Sequence, residues 1–211
     1  LSAAGVPMVD SVKVTGAGAA VKEAAALGYP VVLKALAPGV AHKNKLGFVL
    51  PGIADAKALR AGFARLKDAV KSQGFARAQV PFILQPMKPS KAELIIGVSL
   101  EPGLGHFLVV GLGGIYTEAL DESRLFPMPV LAASAKRRLQ DTRIGRLLGA
   151  IDAGAADGSA PTLEAVVAAL MALQNLVLAH PERIASIDVN PLLVGDAGCV
   201  AVDALVVTAA A

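Results

Sequence analysis

A lysine at the end of an apolar run and the basic loop after it form the first group of residues that could do chemistry. Lys34 closes the β-branched run Val31-Val32-Leu33-Lys34, which is typical of a buried strand. A loop follows that contains His42, Lys43, Lys45 and Gly47. A lysine and backbone N–H groups can together neutralise a polyphosphate, so the pattern predicts a phosphate-binding site. Composition alone favours another interpretation, in which Lys34 lies at a strand end and extends to solvent, because no Walker loop is present.

A second group consists of oxygen donors near the end of the chain. Asp188 and Asn190 are two residues apart in an apolar run, so in a strand they share one face. Asp203 on the next predicted strand can reach that face, and Glu118, just after Gly113-Gly114, is a further candidate. Carboxylates suit Mg²⁺, which also takes water and substrate phosphates as ligands. The alternative is a polar edge strand with an Asn-Pro turn, and the residues alone leave the two open.

Other reactive side chains have ordinary interpretations. His106 and His180 fall in a predicted turn and at a predicted helix end. Cys199 alternates with apolar residues and is expected in the core. The basic run Lys136-Arg137-Arg138 is expected to be a solvated helix face.

The elements that must position these groups follow from periodicity and from capping and turn residues. The predicted helices span residues 15–26, 55–73, 134–148 and 162–180, with Thr15 and Asp55 as N-caps of the first two and hydroxyl caps for the others. The predicted strands are 31–34, 48–50, 80–85, 93–100, 107–112, 184–189 and 199–207. This order indicates an α+β protein of two lobes, divided at Gln85-Pro86-Met87 into residues 1–85 and 86–211.

Composition excludes several classes of protein. The chain has 211 residues, 55% hydrophobic and 18% charged, and a net charge of +3. That charge and 4% aromatic residues argue against nucleic-acid binding. A single cysteine excludes a disulfide scaffold and suits a reducing, cytoplasmic compartment. The longest apolar run, residues 163–179, contains Glu164, Gln174 and Asn175, so no membrane span is expected. The first residue is Leu1 rather than Met, which suggests a fragment of a longer polypeptide.

These segments occur in the order found in one known family. They are Gly28-Tyr-Pro-Val-Val-Leu-Lys34, His42-Lys43 with Gly47, Gln85-Pro-Met87, Glu93-Leu-Ile-Ile-Gly97, Gly111-Leu-Gly-Gly-Ile-Tyr-Thr-Glu118, and Asp188-Val-Asn-Pro-Leu-Leu193 followed by Asp203. Over nearly its whole length the chain resembles the ATP-grasp domain of NDP-forming acyl-CoA synthetases, such as the β subunit of ADP-forming acetyl-CoA synthetase. Succinyl-CoA synthetase is a more distant relative. The resemblance implies two α+β lobes with the nucleotide site between them.

The resemblance also implies a role for each matching residue. Lys34 would hold the α- and β-phosphates of ATP, while the loop with His42, Lys43 and Gly47 would cover the γ-phosphate. His42 would be a transient phosphate carrier. Gln85 to Met87 would lie beside adenine, and Glu93 would bind the ribose. Asn190 and Asp203 would bind Mg²⁺, with Glu118 and Asp188 as neighbours in the metal pocket.

The family reaction makes acyl-CoA from a carboxylic acid, CoA and ATP through an acyl phosphate and a phosphohistidine. Mg²⁺ and the lysine would offset the phosphoryl charge. The CoA-binding and ligase portions are absent from this chain, so the resemblance implies a partner domain or α subunit that supplies them. Small carboxylic acids and CoA would be the other substrates.

Two segments depart from the family pattern. The family loop usually reads His-Lys-Ser-Asp-x-Gly-Gly-Val, whereas here Lys45 replaces the acidic residue and Phe48 the second glycine. A side chain at residue 48 is expected to crowd the backbone approach to phosphate. The family's Asp-x-x-x-Arg-x-x-Pro segment fits residues 121–129 only with a gap before Arg124. Lys45 and Phe48 motivate an alternative, a regulatory, ligand-sensing domain fused to an acetyltransferase. A further alternative is an ATP-grasp ligase that acts on another carboxylate without CoA.

Overall fold

The computed structural model describes residues 1–40, 43–114, 122–155 and 161–209, with the side chain of Arg77 left out. Contacts divide the chain into two compact units. The first unit is Val9–Lys88, and the second comprises Leu1–Met8 with Pro89–Ala211. The sequence places the division at residue 85, with the N-terminus in the first lobe. The structure groups the first eight residues with the second unit because the backbone N–H of Ala201 donates to the carbonyl of Pro7 (2.7 Å) and Met8 bridges Ala201.

In the described residues, the first unit consists of a four-stranded antiparallel sheet and two α-helices. Its strands are β1 (Val12–Val14), β2 (Val31–Ala35), β3 (Val49–Ile53) and β4 (Phe82–Pro86), and its helices are α1 (Ala17–Leu27) and α2 (Ala56–Ser72). The strands lie in the order β1-β4-β2-β3. Asp55 caps α2 as predicted, since its carboxylate accepts from the backbone N–H of Ala58 at 2.7 Å.

The core of the first unit lies on one face of this sheet. Helix α2 buries Leu59, Phe63, Leu66 and Val70, a spacing of three and four residues that forms one apolar stripe. The ring of Phe63 packs against that of Phe82 on β4, with centroids 5.0 Å apart. Leu33 and Leu84 from neighbouring strands are fully buried in the same cluster. The alternate side chains of β2 and β4 therefore lie on the opposite face of the sheet, away from the two helices.

Within the part of the chain that the structure describes, the second unit has a larger antiparallel sheet and three α-helices. Its strands are β5 (Ala92–Glu101), β6 (Gly105–Leu112), β7 (Ser123–Pro127), β8 (Ile184–Gly195), β9 (Gly198–Ala201) and β10 (Ala204–Thr208). The order is β10-β8-β5-β6-β7, and β9 pairs with the end of β8. The helices are α3 (Ala132–Gln140), α4 (Arg143–Ala153) and α5 (Thr162–Ala179).

Helix α5 is the core helix of the second unit. It is long and apolar enough by length and composition to cross a bilayer, but half of its residues are buried in the protein. Leu170 and Leu173 are fully buried among strand residues such as Ile96 and Val110. Its one strongly buried amide, Gln174, accepts from the N–H of Val130 (2.8 Å) and donates to the carbonyl of the same residue (3.1 Å). These contacts explain the high hydropathy of the segment as core packing.

Several predicted elements have different limits in the structure. The helix predicted over residues 134–148 is two helices, because the first ends at Gln140 with Asp141 as its C-cap, and Thr142 caps the second by accepting from the N–H of Gly145. Gly16 occupies the N-cap of α1 in place of the predicted Thr15, and α3 and α5 have no side-chain cap. The last predicted strand is divided into β9 and β10 around Asp203. Strands β1 and β7 were not predicted.

Candidate functional site

The first candidate residue, Lys34, is almost completely buried in the middle of a sheet. Strand β2 alternates so that Val31, Leu33 and Ala35 enter the core with the helices. Lys34 therefore lies on the opposite face, paired with Val49 on β3 and Ile83 on β4, and only 4% of it is exposed. Lysines are almost never buried to this degree without a partner for the ammonium group. The interpretation of Lys34 as a strand-end residue that extends to solvent is wrong.

The same face of the first unit carries Gln85. Gln85 pairs with Val32 across β4 and β2, so its side chain projects from the same face as Lys34, and 6% of it is exposed. Met87 directly follows strand β4, and its backbone N–H donates to the carbonyl of Pro30 at 3.0 Å. Its side chain is exposed. The structure thus brings together Lys34 and the segment from Gln85 to Met87 on neighbouring strands.

The basic loop ends in a turn that leads directly into β3. The N–H of Gly47 donates to the carbonyl of Asn44, and Gly47 has a φ of +69°, which favours glycine. The N–H of Phe48 donates to the carbonyl of Lys43 at 2.9 Å. Lys43 is partly buried and Lys45 is exposed. His42, the predicted phosphate carrier, lies outside the described residues.

Phe48 does not crowd this loop, contrary to the expectation from sequence. Its side chain is fully buried in the core of the first unit and makes an edge-to-face contact with Phe75 at 6.0 Å. The backbone N–H of Ala35 donates to its carbonyl at 2.9 Å, which holds this residue beside β2. The replacement of a glycine by phenylalanine is therefore accommodated by the core rather than at the loop surface.

In the second unit, the predicted oxygen donors lie on the face of the sheet opposite the helices. Ile187 and Val189 are buried in the core, whereas Asp188 and Asn190 between and beyond them are exposed. The prediction that Asp188 and Asn190 share one strand face is confirmed. Asp188 pairs with Gly97 on β5, so this glycine lies on the same face. A Cβ atom on Gly97 would lie 2.3 Å from the carbonyl oxygen of Ile187, so the two strands approach too closely for any side chain.

Asp203 joins this group where β9 and β10 separate. The N–H of Asn190 donates to the carbonyl of Asp203 at 3.2 Å, which places the two residues side by side. The Asp203 carboxylate accepts from the N–H of Ala204 at 3.0 Å. Among the described residues, no three His, Cys, Asp or Glu side chains cluster closely enough to hold a metal ion. The donors present are carboxylate and amide oxygens, which fit Mg²⁺ held by one or two carboxylates and by substrate phosphates.

Glu93 lies at the start of β5 beside the Gly113-Gly114 turn. The N–H of Gly113 donates to the Glu93 carbonyl at 2.8 Å. Gly114 has a φ of +65°, and a Cβ atom there would lie 3.0 Å from Oε2 of Glu93. Only glycine fits both the backbone conformation and the neighbouring carboxylate. Glu118, predicted to follow this turn in the metal pocket, lies outside the described residues.

Sequence reasoning missed one buried acid, Glu122. Its side chain is 8% exposed and contacts two guanidinium groups, with Arg124 Nη2 at 3.3 Å and Arg143 Nε at 3.8 Å. It also accepts from the backbone N–H of Arg143, the first residue of α4, at 3.0 Å. A carboxylate at a helix N-terminus is favourable. Glu122 therefore fixes the start of β7 to α4, and no local pattern in the sequence signals this long-range contact.

Comparison with known proteins identifies relatives along the whole chain. The family described as ATP-grasp domain matches residues 1–208. The β subunit of acetate–CoA ligase (ADP-forming) II from Pyrococcus furiosus is 28% identical over 210 residues, which cover 98% of this chain and 87% of that subunit. Acetate–CoA ligase (ADP-forming) I from Archaeoglobus fulgidus is 29% identical over 85% of this chain. This chain spans only about a quarter of that longer protein, since the match covers 25% of it.

A solved structure shares the fold. It is the dinucleotide-forming acetyl-coenzyme A synthetase 1 of Ca. Korarchaeum cryptofilum in complex with coenzyme A and Mg-AMPPCP, with its phosphohistidine segment pointing towards the nucleotide-binding site. The two chains superpose with a TM-score of 0.76 and 25% identity, over 99% of this chain and 88% of the other. The family match and this superposition confirm the α+β, ATP-grasp fold that was predicted from the sequence.

Proposed function

Since this chain belongs to the ATP-grasp domain family, we propose that it is the ATP-binding domain of a cytoplasmic, NDP-forming acyl-CoA synthetase. In this proposal the whole enzyme converts a small carboxylic acid, CoA and ATP into acyl-CoA. The single observation that carries the proposal is the burial of Lys34 on the same sheet face as Gln85. The burial fixes the Lys34 ammonium group on this sheet face, where it can form charge-assisted hydrogen bonds with the phosphates of ATP.

We assign the candidate residues of the first unit the roles that the family resemblance implies. Lys34 binds the α- and β-phosphates through charge-assisted hydrogen bonds, which are stronger than neutral ones. The segment from Gln85 to Met87 lies beside adenine. The turn with Lys43 and Gly47 covers the γ-phosphate with N–H groups and a cation. The compact turn at Gly47, with Phe48 in the core, supports this role.

The second unit supplies groups for the ribose and the metal ion. Glu93 accepts hydrogen bonds from ribose hydroxyl groups. Asp188, Asn190 and Asp203 would hold Mg²⁺, with Glu118 as a further predicted ligand. Mg²⁺ offsets the negative charge that the phosphoryl group carries during transfer. The exposure of Asp188 and Asn190 on the open sheet face supports their assignment as ligands.

The chemical step assigned to the chain is phosphoryl transfer between nucleotide and His42. In the direction of nucleotide consumption, the bond between the γ-phosphorus and its bridging oxygen breaks and ADP leaves. A phosphorus–nitrogen bond forms on the imidazole. In the same direction, the phosphoryl group then passes from His42 to the carboxylate of the acid and forms an acyl phosphate. CoA displaces phosphate from this acyl phosphate and gives acyl-CoA. The partner domain or α subunit is proposed to bind CoA and to complete these steps.

Labelling with γ-³²P-ATP in the whole enzyme tests the assignment of His42. We expect a base-stable, acid-labile label that disappears in His42→Asn. The chain has three histidines, so His106→Asn and His180→Asn serve as matched controls and should retain the label. Nucleotide binding without any label on His42 would contradict phosphoryl transfer and would favour the ligand-sensing alternative. The core position of Phe48 removes one of the two observations that motivated this alternative, and only Lys45 remains.

A further inference from the structure

Among the described residues, four of the five edge strands are covered or carry a charged residue or a proline, and one has none of these features. An edge strand presents unpaired N–H and C=O groups, and natural proteins commonly cover it or place a charge or a proline there. The edge strand β9 is covered by the Pro7–Met8 segment. Three other edge strands carry a charged residue or a proline: Lys13 in β1, Pro51 in β3, and Arg124 with Pro127 in β7.

Strand β10 has neither kind of protection in the part of the chain that the structure describes. Its sequence, Ala-Leu-Val-Val-Thr, contains no charge and no proline, and it pairs only with β8. Leu205, Val206 and Val207 are 43%, 43% and 44% exposed. Because side chains alternate along a strand, these three residues expose apolar surface on both faces of the edge. Such an edge is prone to pairing unless it is covered.

We propose that β10 is the docking edge for the CoA-binding polypeptide of the enzyme, which adds an extended apolar segment beside it. This inference rests on the proposed function. Strand addition supplies main-chain hydrogen bonds, and the alternate side chains of the added strand contact apolar surface. An occupant without charges fits, because β10 offers Leu205, Val206 and Val207 and no ion-pair partner of its own.

The relatives provide an independent reason for a partner at such a surface. The match covers 87% of a separate β subunit in Pyrococcus furiosus but only 25% of a single protein in Archaeoglobus fulgidus. The same domain therefore occurs both as a subunit and as part of a much longer chain. A domain that serves in both arrangements needs a surface that binds the remaining polypeptide without a covalent link. The unprotected edge of β10 meets that need.

Hydrogen–deuterium exchange in the whole enzyme tests the inference without any substitution. About half of the amides of an edge strand point away from its neighbour, and in β10 these should exchange at least 100-fold more slowly than unprotected amides. The corresponding outward amides of β7 provide the internal reference for a free edge. Exchange of the outward β10 amides at the unprotected rate would overturn the proposal.

A charge at the centre of the edge gives the second test. In the whole enzyme, Val206→Lys should lower acyl-CoA synthesis at least tenfold while the affinity for Mg-ATP changes less than twofold. Leu178→Lys, which removes a comparably exposed leucine (46%) in helix α5 rather than in a strand, is the matched control and should leave both unchanged. Val206→Thr, which keeps β-branching without charge, should stay close to wild type and shows that folding is retained.

Other outcomes would show that a different molecule occupies the β10 edge, or that the proposed function itself is wrong. Sedimentation that converts from dimer to monomer in Val206→Lys, with acyl-CoA synthesis unchanged, would assign the edge to a second copy of this chain and overturn the proposal. Wild-type synthesis and assembly in Val206→Lys would overturn it as well. Absence of Mg-ATP binding in the wild-type enzyme would instead contradict the proposed function, so the two failures are distinguishable.

Discussion

Gly97 lies where the backbone of strand β8 closely approaches β5, and replacing it by alanine is the sharpest test of the second unit. Gly97 pairs with Asp188, one of the proposed Mg²⁺ ligands, and with Val109 on β6. An added Cβ atom would lie 2.3 Å from the carbonyl oxygen of Ile187 and 3.6 Å from the Cα atom of Asp188. The backbone of β8 must therefore move away from β5 at the position that carries Asp188.

The cost of this movement can be estimated from the hydrogen bonds that it weakens. A separation of the strands weakens two or so ladder bonds, with a combined loss of about 1 kcal/mol because they are stretched rather than broken, and adds overpacking strain of about 1–3 kcal/mol. We expect Gly97→Ala to lower the free energy of unfolding by roughly 2–4 kcal/mol. At about 2–4 °C per kcal/mol for a chain of this size, the melting temperature should fall by roughly 4–16 °C. Mg-ATP should also bind more weakly, since Asp188 is displaced.

Thermal unfolding followed by circular dichroism, together with calorimetric titration of Mg-ATP, measures both effects. Gly149→Ala in helix α4 is the matched control, because an added Cβ atom at residue 149 meets nothing within 4 Å. That substitution should be neutral or stabilise by up to about 1 kcal/mol through helix propensity. If Gly97→Ala unfolds at the same temperature as Gly149→Ala, the close approach described for β5 and β8 is contradicted.

Two further predictions concern residues away from the candidate site. Thr142 is 5% exposed and accepts from the N–H of Gly145 at 3.1 Å, so Thr142→Ala should destabilise by about 1–2 kcal/mol in urea unfolding, whereas Thr142→Ser should restore most of the loss. Burial raises the pKa of the Cys199 thiol from its usual 9.0 to about 11. At pH 8 its thiolate fraction, and hence its rate of alkylation by iodoacetamide, should be about 100-fold below that of a free cysteine. Because this pKa is raised in the folded state, its contribution to stability is complete below pH 9 and is lost as the pH rises from about 9 to 11. Alkylation at the rate of the unfolded protein would contradict this burial.

Local patterns predicted the strands that carry the candidate residues, but not which strands are neighbours. Val31 to Lys34 is recognisable as a strand because it is β-branched and apolar. The position of Gln85 on the same face as Lys34 depends on the pairing of Val32 with Gln85, a long-range register that periodicity does not contain. The contact between Glu93 and the Gly113-Gly114 turn has the same origin.

The missed or misplaced elements each have a physical cause. Strand β1 has three residues and contains Lys13, and β7 contains Ser123 and Arg124, so neither shows a clear apolar alternation. Both are edge strands, in which charged and polar residues are common, so an apolar alternation is weaker there. Phe48 was expected to crowd the backbone approach to phosphate, because a glycine occupies that place in the family pattern. The alternation leading into β3 turns it into the core instead.

Calorimetric titration of the chain with ATP, with and without Mg²⁺, tests the central claim most directly. The account predicts Mg²⁺-dependent binding of ATP that Lys34→Met weakens roughly 10- to 150-fold, the equivalent of about 1.5–3 kcal/mol for lost charge-assisted hydrogen bonds. Asp203→Asn should weaken binding only in the presence of Mg²⁺, while the exposed substitutions Lys57→Met and Asp196→Asn should have no effect. An ATP affinity that is the same in the wild-type chain and in Lys34→Met would contradict the assignment of this domain as a nucleotide-binding site built around Lys34.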